Sequence, residues 1–370
     1  MVAVVRSGFL LVGVVGLVAC GGGGGAEGSA SEAEGGSETM DSGMSGGSTS
    51  SVDPSDGETS AGATSDDPTS PTAGDESGDG SSGGTEELGE KISLRVGDFS
   101  VPPIETSYNC WDFTFSLDQL AHITAFEAVV DNAAHVHHFV VTLTEGGSGS
   151  PDGYSCFDLA GDMIWAWAPG ETRFELPEDA GFLVGDAPGG QATLRLQVHY
   201  NNPLNVTGQT DNSGFDFWVT PELREHNAGT LVFGDIEGIE IPPGQAAHEH
   251  IMTCRSEVTA AQFPEPLHVF GSSMHAHNLG SVLYSEVYRD GEMIHEMNRD
   301  DPFDFENQNM KPIDFDLMPG DEIVNHCIYD STGVDTTTFG GPGTGDEMCW
   351  NTIAYYPKIP SGFDYCSSYD

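Results

Sequence analysis

Four short stretches of the 370-residue chain gather side chains that can hold a metal ion: "AHVHHFVVT", "LQVHYNNP", "SSMHAHNLG" and "GDEMCWNTIAYYP". In the third, His275 and His277 stand two apart. On a strand both imidazoles project to one face about 6 to 7 Å apart, within reach of a shared ion. The same spacing equally suits two polar residues on the wet side of a strand. His137 and His138 are neighbours and on a regular strand would point to opposite faces, so a shared ion there requires a bulge. Met348 precedes Cys349 in a polar turn ahead of an apolar strand, an odd place for a core methionine. A thioether is a soft, neutral donor, and beside two imidazoles it suits copper, above all Cu(I). No His-Glu-x-x-His stretch or two-His-one-carboxylate pattern accompanies these histidines, which weighs against zinc hydrolase and non-haem iron chemistry.

The elements that must position these residues are strands. After Lys91 the chain runs in short segments rich in Val, Phe, Tyr, Thr and Leu, broken every ten residues or so by Gly, Pro, Asp and Asn. That cadence predicts an all-β protein built as sandwiches or barrels. In "ATLRLQVHYNNP", Leu194, Leu196, Val198 and Tyr200 alternate with Arg195, Gln197 and His199, as one buried face requires. His199 therefore falls on the polar face beside Gln197. "SVLYSEVYRDGEMIHEM" reads as a hairpin turning at Asp290-Gly291. We expect two consecutive domains, 92–222 and 223–370, with the break near "TPELREHNAG".

Upstream, "MVAVVRSGFLLVGVVGLVAC" combines one Arg, a short apolar run and Leu-Val-Ala-Cys. Residues 1–19 read as a lipoprotein signal peptide, with Cys20 as the acylated residue. Residues 20–91 are Gly, Ser, Thr, Asp and Glu with few apolar side chains. They cannot bury enough surface to offset ordering, so a disordered acidic tether is expected, with a mean span of about 45 to 50 Å. The expected location is exported and lipid-anchored to a bacterial membrane, with the outer one favoured because Gly21 rather than Asp follows Cys20. A net charge of −48 excludes nucleic acid as a partner, since polyanions repel one another. Small molecules or cations remain, and a monomer is expected.

Setting Cys20 aside leaves Cys110, Cys156, Cys254, Cys327, Cys349 and Cys366. In an exported chain an even number reads as a disulfide framework, for which composition allows fifteen pairings. No pair has the spacing that structural zinc favours.

Taken in order, "VHHFVVT", "LQVHYNNP", "MHAHNLG" and "DEMCWNTIAYY" resemble the copper type II ascorbate-dependent monooxygenases, the family of peptidylglycine α-hydroxylating and dopamine β-monooxygenases. The resemblance runs from about residue 93 to the C-terminus. It implies two coppers per chain, an electron-donating one held by His137, His138 and His199, and an O2-using one held by His275, His277 and Met348, the catalytic set. It places Gln197 behind the first set. It also implies the pairing Cys110 with Cys156, Cys254 with Cys366, and Cys327 with Cys349. Ascorbate or an equivalent reductant and O2 would be co-substrates, and a C–H bond of a small molecule would be hydroxylated.

The chain departs from the peptide-hydroxylating members at Ser273, where they carry an arginine that grips a carboxylate, and at Trp350 and Thr352, where they carry asparagine and tyrosine. Loss of that charged anchor argues against a peptide carboxylate, and Trp350 points to an aromatic or apolar substrate. The alternative is a non-catalytic copper-binding lipoprotein that buffers or delivers the metal. His135 could be a spare ligand, whereas His248 and His250 share the His-x-His spacing with no matching family ligand. His122, His226, His268, His295 and His326 read as surface or satisfied polar residues. Asp346-Glu347 reads as a solvated turn rather than a general base.

Overall fold

The computed structural model describes residues 88–144, 152–157, 161–171, 173–185 and 190–370. The expected leader, Cys20 and the acidic tract as far as residue 87 lie outside the described residues. Those described form an all-β fold with one short helix, Ser256–Gln262, among them. None of their helices is long and apolar enough to cross a membrane.

The first half is a sandwich of two sheets. One orders Glu90–Arg95, Gly214–Thr220, Ala121–Val129, Ala180–Val184 and His226–Asn227, and the other Tyr154–Ser155, Thr106–Ser116, Gln191–Asn201, Val136–Thr144 and Asp162–Trp167. Trp111, Phe126, Phe139, Phe182, Phe215 and Phe217 fill the space between them. The fold begins slightly ahead of the expected Ile92, because Leu88 is buried beside Ala125 and Trp218 and Glu90 already pairs with Val219.

The second half repeats the plan. Lys311–Leu317, Leu267–His275, Cys349–Tyr356, Gly229–Asp235 and Tyr365–Cys366 form one sheet, and His248–Cys254, Glu322–Tyr329, Gly280–Arg289 and Glu292–Asp300 the other. Phe233, Met252, Leu283, Tyr329 and Ile353 pack in its core. The hairpin turn lies where the Asp-Gly signal puts it, with φ of 54° at Asp290 and 81° at Gly291. Two successive positive angles match the right-handed twist of the flanking strands.

In the strand Gln191–Asn201, Leu194, Leu196, Val198 and Tyr200 are fully buried, as the alternation requires. The opposite face is polar but not wet. Arg195 makes a two-point ion pair with Asp112 at 2.7 and 3.3 Å, and Tyr108 stacks on His199 with centroids 4.4 Å apart.

The halves meet through specific contacts. Thr106 and Thr344 hydroxyls are 3.1 Å apart, Asn309 Nδ2 donates to the Pro169 carbonyl at 3.3 Å, and Lys358 pairs with Asp162. His226–Asn227, just past residue 222, still pairs with Ala180–Gly181 of the first sandwich. Phe270 and Ala354 of the second half join the first hydrophobic core.

All three disulfides form in the pairing the family resemblance implied. The Cα separations are 5.8 Å for Cys110–Cys156 and 5.7 Å each for Cys254–Cys366 and Cys327–Cys349.

Candidate metal centres and the cavity between them

The strand Val136–Thr144 pairs with Gln191–Asn201 in antiparallel register. His138 faces His199 and Val136 faces Tyr200, which leaves His137 as an extra residue. This is the bulge that two adjacent histidines need in order to turn toward one point. The Nδ1 of His138 lies 3.1 Å from that of His137 and 3.3 Å from that of His199. All three ligand nitrogens stand within 4.8 Å of one another.

Nitrogens about 2.0 Å from a common ion stand about 2.8 to 3.5 Å apart at angles between square and trigonal, so the set fits a cation at its centre. Burial, reinforced by repulsion from the neighbouring imidazoles, lowers the protonation range of His137 and His138 and takes His199 to about 3. The rings are therefore neutral at pH 7, the form that binds metal. His199 Nε2 is buried with no hydrogen-bond partner.

His275 ends the strand Leu267–His275, and His277 lies in the turn just beyond it. Their rings stand 5.3 Å apart and almost perpendicular, at 88°. His277 Nδ1 is 2.9 Å from the Asp346 carbonyl. A carbonyl can only accept, so Nδ1 carries the hydrogen and Nε2 keeps the lone pair that a metal would use. Burial holds His275 down to about 3 and lowers His277 as well. Met348, at 3% exposure, is buried immediately before the strand Cys349–Tyr356, and its carbonyl accepts the Tyr329 hydroxyl at 2.8 Å. Met348 lines the same cavity as both imidazoles, and two neutral imidazoles with a thioether are donor types suited to Cu(I).

Glu347 corrects the expectation of a solvated turn. It is 1% exposed, and its carboxylate accepts the N–H groups of His277 at 2.8 Å and Leu279 at 2.6 Å, as well as that of Met348. One carboxylate thus ties the His-x-His turn to the methionine. Its only advance signal was adjacency to Met348. Phe305, also unsuspected from sequence, stacks on His137 at 4.4 Å and stands edge-on to His277 at 6.3 Å. Beside it Glu306 reaches His137 Nε2 at 3.3 Å.

A cavity of about 130 Å³ opens between the two sets, with His137, His138, His275, His277 and Met348 on its wall. Gln197, Ser273, Trp350 and Thr352 also line it. His135 does not join these residues, because its Nδ1 meets Asn132 Oδ1 at 3.0 Å. His248 and His250 lie on a different sheet, where His250 Nε2 pairs with Asp235 at 3.0 Å. His122, expected to be satisfied, bonds Asn227 at 2.8 Å and accepts the Arg224 N–H at 3.1 Å.

Residues 92–207 match the N-terminal domain of the copper type II ascorbate-dependent monooxygenases, and residues 226–369 match the C-terminal domain. The chain belongs to this family. It is 35% identical over 285 residues to the tyramine beta-hydroxylase of Caenorhabditis briggsae, covering 72% of this chain and 48% of that one. DBH-like monooxygenase protein 1 of Gallus gallus is 32% identical over 292 residues, with coverages of 72% and 47%. The dopamine beta-hydroxylase of Canis lupus familiaris is 31% identical over 285 residues, with coverages of 72% and 45%. The chain thus spans about half the length of the curated relatives it matches. Among solved structures, the infectious bursal disease virus VP2 subviral particle shares 10% identity at a TM-score of 0.18, over 72% of this chain and 69% of that one. That likeness is too slight to bear on this copper monooxygenase family member.

Proposed function

We propose that the chain is a monooxygenase that hydroxylates a C–H bond of a small molecule with O2 and an ascorbate-like reductant. The balance is R–H, O2, two electrons and two protons giving R–OH and water, with two ascorbates each giving up one electron. His137, His138 and His199 would hold one copper, and His275, His277 and Met348 the other. Bound copper supplies one-electron redox chemistry and a place for O2 to be reduced.

The protein's own residues do the rest. Asp346 fixes the His277 tautomer through its carbonyl, and Glu347 holds the turn that presents it. The Cys327–Cys349 bridge pins the backbone next to Met348, which helps a weak thioether donor stay in place. Gln197, behind His199 in the same strand, faces the cavity. The halves, taken as domains 92–222 and 223–370, both contribute to the wall around the reacting groups.

The observation that carries this reading is the cavity shared by two chemically different donor sets. A copper buffer or delivery protein needs neither two kinds of site nor a shared cavity between them. We further propose that Cys20 is lipidated and that the acidic tract tethers a monomer to the membrane.

The test is copper loading followed by ascorbate and O2. Two coppers per chain and a hydroxylated product are expected. Met348→Ile conserves volume, so folding should survive, while product formation should fall at least about 100-fold with copper at the three-histidine set retained. Unchanged turnover in Met348→Ile would remove the second site from the mechanism. Copper uptake without any product would favour the buffering role.

A further inference from the structure

The described part of the cavity wall carries no acidic or basic side chain. Among the described residues that line it there is no Asp, Glu, Lys or Arg, and its polar groups are neutral: the amides of Gln197 and Gln308 and the hydroxyls of Tyr108, Ser273, Thr230 and Thr352. The remainder is largely carbon and sulfur. Phe139, Trp165, Trp167, Phe174 and Met310 supply much of this apolar lining.

The N–H groups of both indoles are engaged with one residue, Glu171. Trp167 Nε1 donates to the Glu171 carbonyl at 2.9 Å, and Trp165 Nε1 reaches Glu171 Oε1 at 3.5 Å. Three carboxylates stand close behind this wall: Glu171 meets Trp165 through Oε1, Glu347 accepts backbone N–H groups, and Glu306 reaches His137 Nε2 at 3.3 Å. None of the three lines the cavity.

An ammonium or carboxylate moved into such a space in the copper-free protein loses its water and finds no opposite charge among the described side chains of the wall. A flat, uncharged ring loses little and gains contact with aromatic faces. The volume is of the order at which one benzene ring is accommodated in a dry protein cavity, roughly 150 Å³.

Building on the proposed monooxygenase activity, we infer that the substrate is a neutral, single-ring aromatic or comparably compact apolar molecule, and that the site discriminates against amines and carboxylates of the same shape. The relatives named for tyramine and dopamine act on molecules bearing an amine. Among the described residues this wall offers that group no carboxylate.

The experiment uses four compounds that share a phenyl ring and a benzylic C–H and differ in the tail: propylbenzene, 2-phenylethanol, 2-phenylethylamine and 3-phenylpropionate. Binding to the copper-free protein is read by tryptophan fluorescence, and benzylic hydroxylation is read on the copper-loaded protein with ascorbate and O2. The two neutral compounds should bind at least about tenfold tighter than the two ions, and kcat/KM should favour them by at least about 100-fold. Thr352→Asp, which puts a carboxylate on the wall, should bring the amine within tenfold of the alcohol. Glu171→Gln should leave the order unchanged.

Amine turnover equal to that of the alcohol, or amine turnover lost in Glu171→Gln, would overturn the inference and leave the monooxygenase reading standing. A neutral-over-charged order in binding with no product from any compound would uphold the cavity inference and overturn the monooxygenase reading.

Discussion

Three backbone N–H groups, those of His277, Leu279 and Met348, meet the carboxylate of Glu347. Those donors favour the ionised form, yet burial outweighs them and moves the group up to about 7. Glu171 shows the same contest away from the metal-binding side chains. Burial dominates there too, pushing it from 4.5 to about 7. The folded protein therefore holds the Glu171 proton more tightly than the unfolded chain does. Its contribution to stability is full below about pH 4.5 and is lost as pH rises through about 7. In Glu171→Gln that slope should vanish. The difference in Tm between wild type and variant, followed from pH 4.5 to 8, should drift in the variant's favour as pH rises. A constant difference would show that Glu171 does not titrate as its burial requires.

The strands and turns that position the sites vary in how openly the sequence announces them. The alternation of Leu194, Leu196, Val198 and Tyr200 and the Asp290-Gly291 turn are local signals, and both elements stand where they point. The bulge at His137 is different, because it exists only in register against a strand some sixty residues away. Two adjacent histidines demanded it only on the assumption that they share an ion. Glu347 was illegible for the same reason. Whether a carboxylate beside Met348 is wet or buried depends on where the His275–Gly280 turn arrives, and nothing within ten residues says so. The hairpin offers a clean test of a local element. Gly291 has open space around its Cα and a φ of 81°, so Gly291→Ala pays only for the left-handed backbone, about 1 to 2 kcal/mol. The urea midpoint should fall accordingly while copper content stays at wild type. A loss of copper would mean that the hairpin is mechanically linked to the His275 turn.

Across the molecule, covalent bonds close what packing begins. Cys327–Cys349 joins the two sheets of the second sandwich and spans 22 residues, for which loop entropy is worth about 3 kcal/mol. The same bond adjoins Met348. In a Cys327→Ser, Cys349→Ser double variant, unfolding by urea should register that loss. Copper titration should also show weaker uptake at the His275, His277 and Met348 set than at the three-histidine set. Equal weakening at both would assign the bridge a purely global role. No stretch of sequence announces the cavity, since its wall is assembled from ten separate stretches of chain.

Phe305 touches His137 on one side and reaches the edge of His277 on the other. On the proposed reading, that ring fills part of the space between the residues that would hold the two coppers. Hydrocarbon has almost no dipoles to reorient when charge arrives, so the medium adds little to the activation of an electron transfer. On that reading, a ring that looks like packing would lower the cost of moving charge between the two sets of histidines.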